Sequence, residues 1–135
     1  MKQVISHEPN SEEIFKKNRR SVLLDTNFIL VCIKQKIDFF NEIFLRGIKI
    51  IIPLQVIREI KKISTSSSEI AIKLLEQNKT SFEKIELKKN YVDEGIKIFA
   101  KENPDIIIAT LDKELKEKIK NRKMIIRKKK ILEII

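Results

Sequence analysis

From Ser21 onward, short apolar runs alternate with stretches in which apolar positions recur every three or four residues. SVLL (21–24) reads as a buried strand, and the segment after Asn27 as a helix. A second helix runs from Asp38 to Leu45, started by Asp38, whose side chain can accept from the free N–H groups of a first turn. IKIII (48–52) is a β-branched run halted by Pro53, hence a second strand. LQVIREIKKI (54–63) places apolar residues at 54, 56, 57, 60 and 63, which is helical spacing. STSSS (64–68) supplies a loop and a cap for a helix with the apolar stripe Ile70, Ile72, Leu74 and Leu75, and FEKIEL (82–87) alternates loosely, as a strand at a sheet edge does. YVDEGIKIFAKE (91–102) has a helical pattern despite Gly95. Asn103 and Pro104 then break the chain before a fourth strand, IIIAT (106–110), a helix, DKELKEKIK (112–120), and a fifth strand, MIIR (124–127). Strands apolar on both faces, alternating with helices, predict a single three-layer α/β/α domain around a parallel sheet.

Composition narrows this picture. With 135 residues the chain forms one domain with one core, and 42% hydrophobic with 36% charged residues exclude a disordered chain. Two glycines and three prolines predict short loops. Residues 1–20 read as a polar, basic extension that contains the bystander His7 and ends in Lys16, Lys17, Arg19 and Arg20; residues 21–130 are the domain, and 131–135 a C-terminal tail. The start, MKQVISHEPNSEE, lacks the apolar stretch of a signal peptide, and no apolar run exceeds six residues. A membrane helix needs ~20. The expected location is therefore cytoplasmic, without a membrane partner. Cys32 lies within the apolar run Phe28 to Ile33 and reads as a small buried hydrophobe, since one thiol makes neither an internal disulfide nor a cysteine-rich zinc site.

Charge changes the picture further. The net charge is +10, and residues 113–130 hold ten Lys and Arg against Glu114 and Glu117, whereas residues 21–112 carry fourteen basic and thirteen acidic side chains. A positive field confined to the last quarter of the chain suits a surface that meets a polyanion, and nucleic acid is the expected partner. The alternative is a solvated helix in a lysine-rich chain.

The acids are placed differently. Asp25 follows the first strand directly, and Asp112 stands two residues beyond the fourth, after Thr110. In a doubly wound sheet, ligands bind beyond the carboxyl ends of the strands where the winding reverses, so if these strands are neighbours the two carboxylates face one crevice. Glu59, on the helix after the second strand, and Asp93, near the start of the helix before the fourth, can reach the same place. Carboxylates gathered there need a hard cation between them, and oxygen donors with no His or Cys nearby select magnesium or manganese. Three of the acids also have plainer explanations, Asp25 and Asp112 as helix caps and Glu59 as a partner of Lys62, and for the fourth, spacing alone does not say whether Asp93 or its neighbour Glu94 is the ligand.

The stretches VLLDTNFIL, VIREIKKI, YVDEGI and IIIATLDKELKEKI, in this order, resemble the PIN domain family, in the subgroup similar to the ribosomal-RNA-processing nucleases of archaea and eukaryotes. The resemblance covers about residues 20 to 130. It implies five parallel strands in the order 3-2-1-4-5 and magnesium- or manganese-dependent endoribonuclease activity. It carries the family's acids to Asp25, Glu59, Asp93 and Asp112, with Asp25, Asp93 and Asp112 as metal ligands and Glu59 holding a water or a second ion. Its small polar residues fall on Thr26 or Asn27 and on Thr110. Leu111, where Asn is frequent, and Glu94, in place of a second Asp, depart from the family pattern. RNA, precursor ribosomal RNA above all, is the implied substrate, gripped by Lys113, Lys116, Arg127, Lys128, Lys129 and Lys130 through its phosphates. Tyr91 and Phe28 are candidates for stacking on unpaired bases, with core packing the commoner fate of both.

Two other magnesium-binding α/β classes fit less well. An aspartate-based phosphatase wants a second acid where Asn27 stands, and a phospho-receiver wants an Asp at the end of the third strand, where Lys88 and Lys89 follow FEKIEL. Within the resemblance, the alternatives are the toxin half of a toxin–antitoxin pair, with a small antitoxin protein as partner, and a non-catalytic RNA-binding assembly factor. The resemblance also allows a homodimer.

Overall fold

β1 (Ser21–Leu24) runs through the interior of a six-stranded sheet, where Val22, Leu23 and Leu24 are closed off from solvent. The structure, a computed structural model, describes residues 20–135; most of the N-terminal extension, with His7, Lys16, Lys17 and Arg19, lies outside the described residues. After β1 come α1 (Thr26–Lys34), α2 (Phe39–Leu45), β2 (Lys49–Pro53), α3 (Leu54–Lys62), α4 (Ser66–Gln77) and β3 (Phe82–Ile85). α5 (Val92–Glu102), β4 (Ile107–Ala109), α6 (Lys113–Lys118), β5 (Lys123–Arg127), a 3-10 turn (Lys128–Lys130) and β6 (Ile131–Ile134) complete the order.

The strands lie in the order β3-β2-β1-β4-β5-β6, and the first five are parallel, so the order 3-2-1-4-5 is present. Residues 131–135, expected as a tail, require a correction: Ile131–Ile134 form a sixth strand that pairs antiparallel with β5. Leu132 is buried there at 1% exposure, and the backbone groups of the segment find partners on β5. Leu132 lies between the hydrogen-bonded pairs of that ladder, so its carbonyl points off the free edge, where Arg46 Nη2 donates to it at 2.6 Å.

From β1 the chain winds outward through β2 to β3, then returns past β1 to β4 and β5. Right-handed crossovers in two directions put helices on both faces of the sheet. α1, α3 and α4 pack on one another, as α5 does on α6. Phe28, Ile29, Phe39, Ile43, Ile60, Ile96 and Leu115 are closed to solvent between these layers, each contributing about 1.5–3 kcal/mol of burial free energy. Cys32 is buried, as its surroundings in sequence predict, and burial pushes its thiol up to about 12. No helix among the described residues is long and apolar enough to cross a membrane.

α4 departs from its predicted stripe. Its inward residues are Ser68, Ala71 and Leu75, whereas Ile70 is 54% exposed. The rotation is set at its start by a reciprocal cap, in which Ser68 N–H donates to Thr65 Oγ1 at 3.1 Å and Thr65 N–H to Ser68 Oγ at 3.0 Å. Gly95 also finds its reason: a Cβ there would stand 2.8 Å from Leu87 Cβ and 3.2 Å from Lys89 O, so α5 can lie on the 87–89 segment only without a side chain at this position. Gln55, buried on α3, clasps the same segment. Its Nε2 donates to Leu87 O at 2.9 Å and Lys89 O at 3.3 Å, and its Oε1 accepts from Leu87 N–H at 3.0 Å.

Candidate active site

β1 and β4 are neighbours, with Val22, Leu23 and Leu24 beside Ile107, Ile108 and Ala109. Winding reverses between them, so their carboxyl ends open on the crevice where such sheets bind ligands. Asp25 continues the ladder by one bond, its N–H donating to Ala109 O at 2.9 Å, and it is only 3% exposed. One carboxylate oxygen, Oδ1, accepts from Thr26 N–H at 2.8 Å and caps α1; the other, Oδ2, accepts from the Thr110 hydroxyl at 2.7 Å. A cap therefore accounts for half of this carboxylate, and both oxygens keep lone pairs for a further partner.

The polar residues beside Asp25 stitch the two strand ends together. Asn27 Oδ1 accepts from Leu111 N–H at 3.1 Å, and Thr110 Oγ1 accepts from Asp112 N–H at 3.2 Å. Asp112 caps α6, its Oδ1 accepting from Leu115 N–H at 3.1 Å, and is half-buried. Leu111, the family departure, thus takes part through its backbone and not its side chain. Glu59 stands exposed on α3, and Asp93 on the first turn of α5. Glu94 is engaged by Lys97 at 3.0 Å, which separates it from Asp93 where spacing alone left the two equivalent.

Electrostatics tie the four acids together. Burial, opposed by the bonds from Thr110 and Thr26 and reinforced by the charges of Asp93 and Glu59, pushes Asp25 up to about 6. Desolvation, then the charges of Asp112 and Glu59, hold Asp93 above the usual carboxylate range. Each acid thus lies within the field of another at one rim. Among the described residues, no three His, Cys, Asp or Glu side chains stand close enough together to close around an ion. The donor chemistry nevertheless fits a hard divalent cation: the rim offers oxygen ligands whose mutual repulsion such an ion would relieve. Beside them the Thr26 hydroxyl is buried with no hydrogen-bond partner among the described atoms, a polar group that calls for a ligand or water.

The basic quarter divides. Lys113 and Lys116 lie on the helix that Asp112 begins, and Arg127 to Lys130 stand at the end of β5, all four exposed. That turn, Leu111 and Ile126 border one open depression of about 520 Å³, whose only link to the acids is that Leu111 precedes Asp112 in sequence. Arg127 is paired with Glu133, and Lys129 and Lys130 adopt left-handed backbone, with φ of 65° and 64°. Lys123 begins β5 at the opposite end of the sheet. The two aromatic candidates also separate: Phe28 is core, and Tyr91 is 80% exposed. Of the cations that border the same groove as Tyr91 and Glu59, Arg58 escaped the sequence reading and Lys62 entered it only as a partner of Glu59. Their positions at one before and three after Glu59 on a helix are the signal that could have found them.

Residues 22–129 match the model of the PIN like domain family. The chain is 33% identical over 124 residues to Ribonuclease VapC4 of Methanocaldococcus jannaschii, a likeness that covers 84% of this chain and 95% of that protein. Its fold is similar to that in the structure of the PIN domain endonuclease Utp24, with a TM-score of 0.69 and 24% identity over 85% of this chain and 95% of that one. The strand order around a rim of acids and the match that runs from β1 into the turn after β5 agree, and this chain belongs to the PIN like domain family.

Proposed function

We propose that this chain is a magnesium- or manganese-dependent endoribonuclease that hydrolyses phosphodiester bonds in RNA, acting in the cytoplasm on precursor ribosomal RNA. The observation that carries the reading is Asp25, a carboxylate buried at the switch point with Asp93 and Glu59 raising its pKa further. A lone structural cap has no need of two more acids in its field. The motif resemblance supports RNA processing, and the relative named a ribonuclease supports RNA as substrate.

Asp25, Asp93 and Asp112 would supply the oxygen ligands, drawn closer together by the cation than they stand in the structure, with Glu59 positioning a water or a second ion. Such an ion acidifies water and offsets the charge that grows on the phosphate, an effect worth several kcal/mol. The chain's own contribution is to fix the ligands: Thr110 and Thr26 orient the Asp25 carboxylate, and Asn27 locks the backbone before Asp112. Lys113, Lys116 and the 127–130 cations grip phosphates on the flanks, which positions the strand without reading its sequence.

Purified protein incubated with structured RNA and manganese should yield internal cuts, and Asp25→Asn and Asp112→Asn should each slow cutting by at least about 100-fold. Variants that cut as well as the parent would show the site to be misassigned. A manganese soak with anomalous density should place the ion on these carboxylates. A second reading, the toxin of a toxin–antitoxin pair, is supported by the 33% identity to a named ribonuclease across most of both chains. Growth arrest on expression, or a small antitoxin gene beside this one, would favour it over RNA processing.

A further inference from the structure

We infer that Tyr91 is a stacking platform for an unpaired base of the RNA strand, seated in the groove between α3 and the start of α5; this rests on the endoribonuclease reading of the adjacent acids. The phenol ring is 80% exposed on the border of a groove that also carries two cations, and it is this combination, not exposure alone, that points to a ligand. The groove has a volume of about 470 Å³ and is bordered by Arg58, Glu59, Lys62, Asn90 and Tyr91, within the range of pockets that take small ligands.

The partner's chemistry follows from the lining. Arg58 and Lys62 sit one helical turn apart on α3, both exposed, and suit successive phosphates, while Tyr91 offers the one aromatic face in the groove among the described residues. An apolar protein segment would meet two cations and an acid there, whereas a nucleotide brings a π-face and a negative charge together. Stacking of this kind tolerates any base. The groove adjoins the acids directly: Glu59 follows Arg58 in sequence, and Asp93 stands two residues after Tyr91. A base held on Tyr91 therefore lies beside the bond to be cut, and the favoured substrate is RNA unpaired next to its cleavage site.

The platform is also built in advance. Tyr91 is the N-cap residue of α5, with extended backbone at φ −77° and ψ 126°. The chain before it is clasped by Gln55 and pressed against Gly95, so the backbone that carries the ring is held before the base arrives.

Tyr91 is the single tyrosine in a chain without tryptophan, so tyrosine emission reports on this residue alone. The full chain would be titrated in EDTA with an unstructured single-stranded RNA of about 12 nucleotides, with an abasic strand and with a blunt RNA duplex of the same length. The single strand should quench the emission, and the other two should not. Tyr91→Ala should weaken single-strand binding by about 5- to 150-fold and leave duplex binding unchanged, while Tyr91→Phe binds as the parent does. Equal quenching by all three probes, or a Tyr91→Ala variant that binds the single strand like the parent or loses single strand and duplex alike, would overturn the platform. If the parent cuts RNA with manganese and Asp25→Asn does not, the nuclease reading survives such a failure. If neither cuts but the single strand still quenches, the nuclease reading falls and the platform stands.

Discussion

The seam between β1 and β4 and the hairpin of β5 and β6 both bring charge to the same rim of the sheet, but under opposite physical conditions. At the seam one carboxylate is withdrawn from solvent and its pKa is pushed up to about 6. From its ordinary value of 3.8 that shift corresponds to about 3 kcal/mol against the ionised form at neutral pH. In the hairpin, Arg127 to Lys130 are all exposed, where a surface pair such as Arg127–Glu133 contributes roughly 0–1 kcal/mol. The seam thus bears a charge that the fold would be more stable without, and the hairpin bears charges to which the fold is nearly indifferent. Both patterns are what a site for chemistry and a surface for attraction require.

The sharpest way to break this contrast is Asp25→Asn without metal. Because the folded-state pKa of Asp25 lies above its unfolded value, its ionisation removes stability as pH rises through 4 to 6, and the penalty is complete above that range. Urea denaturation should find the variant more stable than the parent by up to about 3 kcal/mol at pH 7, with the gap closing towards pH 4. Excess manganese should then stabilise the parent and not the variant. A variant less stable than the parent at pH 7 would mean that the carboxylate is structural. A smaller effect is expected from exchanging Lys128, Lys129 and Lys130 for Gln: folding stability within about 0.5 kcal/mol of the parent, but a slope of RNA affinity against salt shallower by about 2 if all three cations meet phosphates. An unchanged slope would take the hairpin out of the RNA surface. The smallest concerns Lys129 alone, whose φ of 65° brings its Cβ close to the following carbonyl oxygen; Lys129→Gly should raise stability by up to about 1 kcal/mol, and a loss would show that its side chain packs.

The two regions also differ in how much of them could be read from residues alone. Around the seam, apolar runs on either side of Asp25 and Thr110 announce buried strands, and Asp38, Asp112 and the Thr65 loop announce helix starts, because caps and periodicity are local properties of sequence. What stayed hidden there is contact between distant residues: the bond from Thr110 to Asp25, the grip of Gln55 on Leu87 and the fit of Gly95 against it all depend on which strands become neighbours. In the hairpin even the element was hidden. A tight turn usually advertises itself with Asn or Gly at its left-handed positions, and here lysines occupy them, so β6 read as a tail. The stripe of α4 failed for another reason, since a cap fixes the rotation of a helix and apolar residues such as Ile70 can then be left outside. The excess of cations was countable from the start, but its division between the two ends of β5 was not.

Arg46 reaches across to the last strand, and the reach has a bearing on how copies of the chain meet one another. A free sheet edge is a template on which any extended segment can add itself, and Ile131 on β6 and Ile135 just after it lie half open beside it. With the guanidinium bound to the outward carbonyl of Leu132, an incoming strand must first displace a cation before it can bond there. At the far margin, β3 shows Glu83 and Lys84 to water. Both borders of the sheet are thus guarded by charge, and lateral growth into fibres is opposed at each.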